Sequence, residues 1–340
     1  MKTVLGFNSE IQLSEGGILR NRLLKEDRFC RLLAFFLGSV LALAIGWTVK
    51  AQAQGDASSP IILTVDHGVI CESELGPIQQ AFADAGLRSD YGGRHLESPT
   101  QMAVLGFEDY SYLGLDTPVT SPAPQGVELG KFMDGNAGPC AWVVNVPDIG
   151  REVERVSRLG VKVEAPNYLS RKKPDGTLSK WKKAKLGDET SGATLPLLLQ
   201  DITPRNYRVE PSASTKGTSL TGVTVVVLGV RDLDASIALF RRVYSWPAPI
   251  VEQHPDFGAK LAYFEGTPVI LAVPLAQNSW LSERLARFGQ SPIAFLLGTS
   301  NFKATSARFS FPNTTQWFNR KVGWFDSDKL RGVRLGVIDQ

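Results

Sequence analysis

The sequence predicts an α+β fold: tandem βαβββ modules paired into two domains, preceded by an N-terminal signal or transmembrane helix. Three observations predict it. The order strand, helix, strands recurs along the body of the chain, and repeats on this scale pair to bury a common core. At 340 residues the chain exceeds one compact domain. One long uncharged apolar run stands near the N-terminus, with basic residues before it.

Residues 1–31 form a basic N-terminal region and 32–53 a targeting segment. Leu32 to Trp47 contains no charge and follows Arg20, Arg22, Lys25, Arg28 and Arg31; Ala51-Gln52-Ala53 comes after it. That is the layout of a secretory signal with a small-residue cleavage site. Cleavage near Ala53 gives a periplasmic or secreted body, whereas a retained helix over 32–49 gives an anchored one. Either way the basic side stays in the cytoplasm and the body crosses the cytoplasmic membrane into the envelope. A buried core helix explains the run less well, since nothing amphipathic follows for it to pack on.

After a polar linker, Ile61 to Ile70 reads as a buried strand. Leu75, Ile78, Phe82, Ala85 and Leu87 then recur at near-helical spacing, with Gly86 as a stop signal. Strands follow at Gln101–Phe107 and Ser111–Leu115. The order begins again with a strand at Ala141–Val146, Asp148 as an N-cap, and an amphipathic helix from Ile149 to Leu159 closed by Gly160. A strand at Val161–Ala165, a polar hairpin turning at Pro174-Asp175-Gly176 and a strand at Leu195–Ile202 complete a first domain over 60–205.

Residues 206–217, rich in Ser, Thr, Pro and Gly, read as a linker. The second domain, 218–340, opens with the β-branched run Val223–Val230, N-caps at Asp232 and Asp234, and a helix carrying Leu233, Ile237, Leu239, Phe240 and Val243. Strands follow at Leu261–Phe264 and Pro268–Val273. A less regular fourth unit takes a helix at Trp280–Phe288, a strand at Ile293–Gly298, and a tail with Trp317, Trp324 and Leu330–Ile338.

Composition excludes several function classes. Hydrophobic residues at 43% and charged residues at 21% exclude a largely disordered chain. With 37 basic and 34 acidic residues the net charge of +3 is too even to make nucleic acid a partner, and no nucleic-acid motif is present. A Gly-x-Ser-x-Gly elbow, a Cys/His catalytic pattern, a phosphate loop and a dinucleotide fingerprint are all missing from the sequence. Cys71 and Cys140 lie in apolar strand-like runs, as buried thiols or as a disulfide formed in an oxidising compartment.

Val65-Asp66-His67-Gly68-Val69-Ile70, with the helix after it, then Gly92-Gly93-Arg94-His95 and Tyr112-Leu113-Gly114-Leu115, resembles the first module of glyoxalase-like proteins of the vicinal oxygen chelate superfamily. Val227 to Asp234, a strand turning into its helix, resembles the same family. The resemblance implies a divalent metal gripping two neighbouring substrate oxygens, with ligands on the first and last strands of paired modules. It covers isomerases, lyases, dioxygenases, resistance proteins and non-catalytic binders, so it implies a fold before it implies an activity.

At the implied ligand positions stand His67, then Gly114 where a carboxylate is usual, then Ala141 or Trp142, and Gln200. In the second domain Thr224 or Val225 and Leu271 or Ala272 take those places, and none is a useful ligand. The expectation is therefore a small-molecule cleft in the first domain, lined by His67, His95, Gln101, Tyr112, Trp142 and Gln200, with a degraded metal site. A metal kept by His67 and Gln200, with water or Asp66 completing its shell, is the alternative, in which Glu72, Glu97 or Glu108 would supply the carboxylate of a metal-dependent enzyme. His254 reads as a surface residue. The dense basic hairpin 171–185 reads as a solvated face, or as a contact for anionic membrane surfaces.

Overall fold

The computed structural model describes residues 59–188 and 192–340. The expected signal or anchor segment lies outside the described residues. Among those described, no helix is long and apolar enough to cross a membrane.

The first half of the chain forms β1 (Val65–Cys71), α1 (Leu75–Asp84), β2 (Asp90–His95), β3 (Thr100–Gly106), β4 (Tyr112–Pro118), α2 (Gly130–Asp134), β5 (Gly138–Asn145), α3 (Ile149–Arg158), β6 (Asn167–Lys172), β7 (Leu178–Ala184) and β8 (Leu197–Asp201). Its strands close into a barrel in the order β1-β4-β3-β2-β6-β7-β8-β5. Each module is a βαβββ unit whose first strand runs parallel to its last, β1 with β4 and β5 with β8. The modules join antiparallel at β1–β5, and again at β2–β6 through Arg94 opposite Lys172 and His95 opposite Arg171.

The helices form where the spacing predicts them. Ile78 and Phe82 of α1 are fully buried. Asp148 caps α3 by accepting a 3.0 Å bond from the Arg151 amide, and Gly86 and Gly160 turn left-handed just beyond the helix ends.

The second half forms α4 (Arg205–Arg208), β9 (Leu220–Gly229), α5 (Leu233–Tyr244), β10 (Ile250–His254), β11 (Ala259–Tyr263), β12 (Val269–Pro274), α6 (Trp280–Phe288), β13 (Ser291–Thr299), α7 (Phe302–Phe309), β14 (Asn313–Trp317), β15 (Arg320–Trp324) and β16 (Leu335–Asp339). These strands make one sheet, β10-β11-β12-β9-β13-β16-β15-β14. It repeats the two-module plan but leaves β10 and β14 as edges. The barrel leans on it through β1 and β5 against β9 and β13. At Gly68 a Cβ would come within 2.6 Å of the Phe295 ring, so only glycine permits that approach.

Five local expectations are corrected. Residues 161–165 make an isolated bridge, Val163 with Leu186, and the strand comes later as β6. The Gly-Gly stretch before His95 is a strand, β2, despite its weak β propensity, because its neighbours supply the ladder. Helix 280–288 precedes the fourth module, whose own helix is α7. His254 is only 8% exposed, packed 5.4 Å from the Trp317 ring, because β10 carries it to the filled face of the sheet. The segment read as a linker is held fast: the Ser212 amide and the Thr215 hydroxyl both donate to the Gly106 carbonyl, at 3.1 and 2.5 Å.

Candidate functional site

The site starts from an irregularity in β1. Against β5, Val65 lies opposite Val144 and His67 opposite Val143, so Asp66 is an extra residue, a β-bulge. The bulge turns the side chains of Asp66 and His67 toward each other, and His67 Nδ1 lies 2.6 Å from Asp66 Oδ1. Arg208 of α4 grips the same carboxylate with two parallel bonds of 2.7 and 2.8 Å, and Arg205 approaches it at 3.1 Å. Arg208 also donates through Nε to Asp201 at 2.9 Å and through Nη1 to the Tyr112 hydroxyl at 3.1 Å. Such bidentate, charge-assisted bonds are strong and directional.

This network fixes the imidazole. Burial alone would raise the Asp66 carboxyl, but the Arg208 charge and the bonds from His67 and Arg208 hold it well below the usual carboxylate range. Burial pushes His67 down, against the pull of Asp66, so the ring is neutral near neutral pH. With Asp66 permanently ionised, Nδ1 carries the proton and Nε2 is left as an acceptor. The ring stacks on Tyr112 at 4.3 Å with an 11° tilt. Burial pushes the Tyr112 phenol up to about 12, so it too is uncharged.

His67 opens onto a cavity of about 290 Å³ inside the barrel. Val69, Val143, Leu197 and Leu199 form one wall, Trp181 and Leu169 another, and Leu129 and Met133 near α2 close over it. Among the other polar residues of the lining are Arg171, Asp116 and His95, with Glu97, Glu128 and Lys183. Arg171 is 1% exposed, donates to the Arg208 carbonyl at 2.5 Å and touches Met102 Sδ, while its buried Nε has no partner. No carboxylate lies within ion-pair distance of it among the described residues. Asp116 has an oxygen, Oδ1, that is buried and unpartnered, and burial raises its carboxyl to about 7 against the pull of Arg171. His95 shares a 2.9 Å bond with the Thr100 hydroxyl and is pushed down to about 3, by burial first and then by Arg171 and Lys183.

The sequence-predicted lining residues divide. His67, His95 and Tyr112 meet in the cavity. Trp142 and Gln200 face the other way, because Val143, Leu197 and Leu199 take the inward places on their strands. The Trp142 indole donates to the Thr194 carbonyl at 3.1 Å within the outer core, and Gln200 bonds the Pro147 carbonyl and the Ile149 amide at the start of α3. Gln101 sits on the outside of the barrel, accepting from the Tyr91 hydroxyl at 3.3 Å. Glu97 lies at the cavity rim, occupied by the Ser170 amide and hydroxyl, and Glu72 pairs with Arg331. Glu108 accepts from the Gly217 amide away from the cavity.

Sequence reasoning missed Arg208, Arg171 and Asp116. Arg171 was legible in principle, since Leu169 and Arg171 on β6 and Trp181 and Lys183 on β7 alternate inward with a period of two. Arg208 follows an unremarkable Pro204 and carries no comparable signal.

The donor set does not fit a divalent cation. His67 pairs in register with Val143 and shares the cavity with Leu197 and Leu199, and both Asp66 oxygens are taken by guanidinium and imidazole N–H groups. His67 is level with Tyr112 on the parallel neighbour β4, and Asp116 is four residues further on, roughly 13 Å along the strand. Among the described residues no three His, Cys, Asp or Glu side chains converge. Arg171, buried in the lining without an ion-pair partner among the described residues, favours an anion over a cation.

The sequence profile of the glyoxalase-like domain matches residues 65–244, just over half of the chain and all of the barrel. The chain belongs to the glyoxalase-like family. No curated protein matches it. Among solved structures, a hypothetical protein from Staphylococcus aureus is similar over 82% of this chain and 100% of its own, at 11% identity and a TM-score of 0.55. A methylmalonyl-CoA epimerase from Mycobacterium tuberculosis is similar over 36% of this chain and 90% of its own, at 18% identity and a TM-score of 0.32. At 11% identity the first of these likenesses speaks to fold alone. The glyoxalase-like barrel with its paired βαβββ modules agrees with the resemblance seen in the sequence.

Proposed function

We propose that the barrel of this glyoxalase-like protein binds a small monoanionic molecule, a carboxylate with an apolar body, without a resident metal. The observation that carries this reading is Arg171: a guanidinium buried in the cavity wall with no carboxylate within ion-pair distance among the described residues. An uncompensated buried charge is costly, and a ligand carboxylate supplies the counter-charge. Asp116, protonated below about 7, stands as a hydrogen-bond donor in the same cavity. The neutral His67 Nε2, braced through Asp66 and Arg208, accepts a hydrogen bond from a ligand hydroxyl or takes its proton. Val143, Leu197, Leu199 and Trp181 receive the apolar part.

A panel of short aliphatic and aromatic carboxylic acids, each beside its neutral amide, tests the reading by thermal shift and calorimetry. The acids should raise the melting temperature and the amides should not. Arg171→Gln should abolish the effect, and His67→Ala should weaken it for hydroxy acids only. Metal analysis of the purified protein should find far less than one ion per chain. A stoichiometric ion removed by chelator together with turnover would overturn the proposal in favour of a metal-dependent lyase, isomerase or dioxygenase.

We also infer that the domains work outside the cytoplasm. Cys71 and Cys140 are joined in a disulfide, a bond suited to oxidising compartments, and the basic-then-apolar order of residues 1–53 matches an export segment. Mass spectrometry of the N-terminus of protein recovered from fractionated cells distinguishes cleavage near Ala53 from a retained anchor. Recovery in the cytoplasm with free thiols would refute export. Within the basic hairpin, Arg171 and Trp181 point into the barrel, Lys183 pairs with Glu128 and Lys185 with Glu164, while Lys172 and Lys180 stay exposed.

A further inference from the structure

A second cavity, of about 280 Å³, lies at the junction of the barrel and the second sheet. Pro139 of β5 forms its barrel side. Arg284 and Arg287, one turn apart on α6, and Arg334, just before β16, form the other. Arg284 reaches across the junction and donates to the carbonyls of Ala137 and Pro139, and to Pro292 at 2.9 Å, while its buried Nε has no partner. Arg287 spends one Nη2 bond, 3.1 Å, on the Gly135 carbonyl. Arg334 sits over the Trp280 indole, 3.8 Å from its centre, and its guanidinium donates to no protein acceptor among the described residues.

No carboxylate lies within ion-pair distance of any of the three among the described residues. Glu283 is the one acid lining the same cavity, which leaves a surplus of positive charge. The cations also disturb each other: Arg284 is drawn down to about 10, by burial first and then by the charges of Arg334 and Arg287. Three like charges facing one concavity repel unless an anion lies between them. Planar guanidinium forks held by aromatic faces match tetrahedral oxyanions with several acceptor oxygens.

We propose that this junction cavity binds the phosphate or diphosphate group of a small soluble molecule, independently of the ligand in the barrel. The anion accepts from Arg287 and Arg334, beside the charge of Arg284, and so ties the two halves of the fold together. Arg284 alone already serves as a structural clip through its carbonyl bonds, so the informative variants are Arg287→Gln and Arg334→Gln.

Titration of the intact protein with inorganic pyrophosphate and inorganic phosphate, at constant ionic strength set with sodium chloride, tests the proposal. Pyrophosphate should bind with one site per chain and raise the melting temperature. Each single variant should weaken it about tenfold, the loss of one charge-assisted contact, and the double variant should remove it. Arg171→Gln, which empties the barrel site, should leave pyrophosphate binding unchanged. Absence of binding by the wild type, or equal binding by the double variant, would overturn the assignment. So would binding only to vesicles containing phosphatidylglycerol, with none to the soluble anions.

Discussion

The barrel and the second sheet follow one plan and end in opposite interiors. Each has a parallel first-and-last strand pair in both modules and an antiparallel seam between the modules. In the barrel, inward places on β1, β4 and β6 hold His67, Tyr112, Asp116 and Arg171, and a cavity remains. In the second sheet the corresponding strands offer Val225 and Val227 on β9 and Ile270 and Ala272 on β12, and the concave side is filled by Phe257, Tyr263, Trp317 and Phe318. The backbone plan therefore does not make a site. A few inward polar residues, braced from behind, do.

The contrast can be broken from either side. Arg208→Ala leaves the buried Asp66 and the half-buried Asp201 without their shared cation, and should cost about 3–5 kcal/mol in denaturant unfolding while abolishing carboxylate binding. Trp317→Ala empties the middle of the second interior, where the indole lies 4.9 Å from Phe257 and 5.3 Å from Trp324, and should cost a similar 3–5 kcal/mol with the barrel ligand still bound. Trp317→Phe should cost much less, since it also removes a buried indole N–H that has no partner. If Trp317→Ala abolished barrel binding as completely as Arg208→Ala, the two interiors would not be separate.

The modules were legible because hydrophobic periodicity reports which face of a helix or strand is buried. The helices at 75–84, 149–158 and 233–244 and the strands β1, β5, β8, β9 and β13 emerge from that signal alone. His67 and Tyr112 were legible because they alternate with apolar residues on the strands that resemble the family. Trp142 and Gln200 misled because a one-residue change of register reverses the face of a strand, and Val143, Leu197 and Leu199 hold the inward places. Arg171 looked like one more surface cation among lysines. Arg208 belongs to a stretch whose composition says linker, and only the closed barrel shows that its side chain ends up 2% exposed beside Asp66.

A smaller effect tests the floor of the barrel. The Cys71–Cys140 disulfide closes a loop of 69 residues between β1 and β5, beside the cavity wall. Replacing both cysteines by alanine, or adding reductant, should cost about 2–4 kcal/mol, read from denaturant midpoints. The second sheet has no cysteine, so its aromatic core should keep its fluorescence until global unfolding. Loss of that signal in an earlier, separate transition would assign the weaker half to the second sheet.

The smallest effect concerns Asp116 and has a defined sign. Its carboxyl titrates near 7 in the folded protein and near 3.8 when unfolded. Between those values the folded chain keeps a proton that the unfolded chain has released, so stability should fall as pH rises from about 4 to 7 and stay low above. Asp116→Asn removes the titration and keeps the shape. The variant should match the wild type near pH 4 and exceed it by about 1–2 kcal/mol near pH 8, less than the full shift implies because the cavity admits water. His95 slopes the other way: held neutral down to about 3, it withdraws stability as pH falls from 6.5, and the Asn variant should leave that limb intact. A bound carboxylate should sharpen the difference, since Asp116 donates only while protonated and ligand affinity should decline above about pH 7. Parallel stability profiles for variant and wild type would mean that Asp116 is ionised against Arg171, and that the barrel interior is as electrically balanced as the aromatic one.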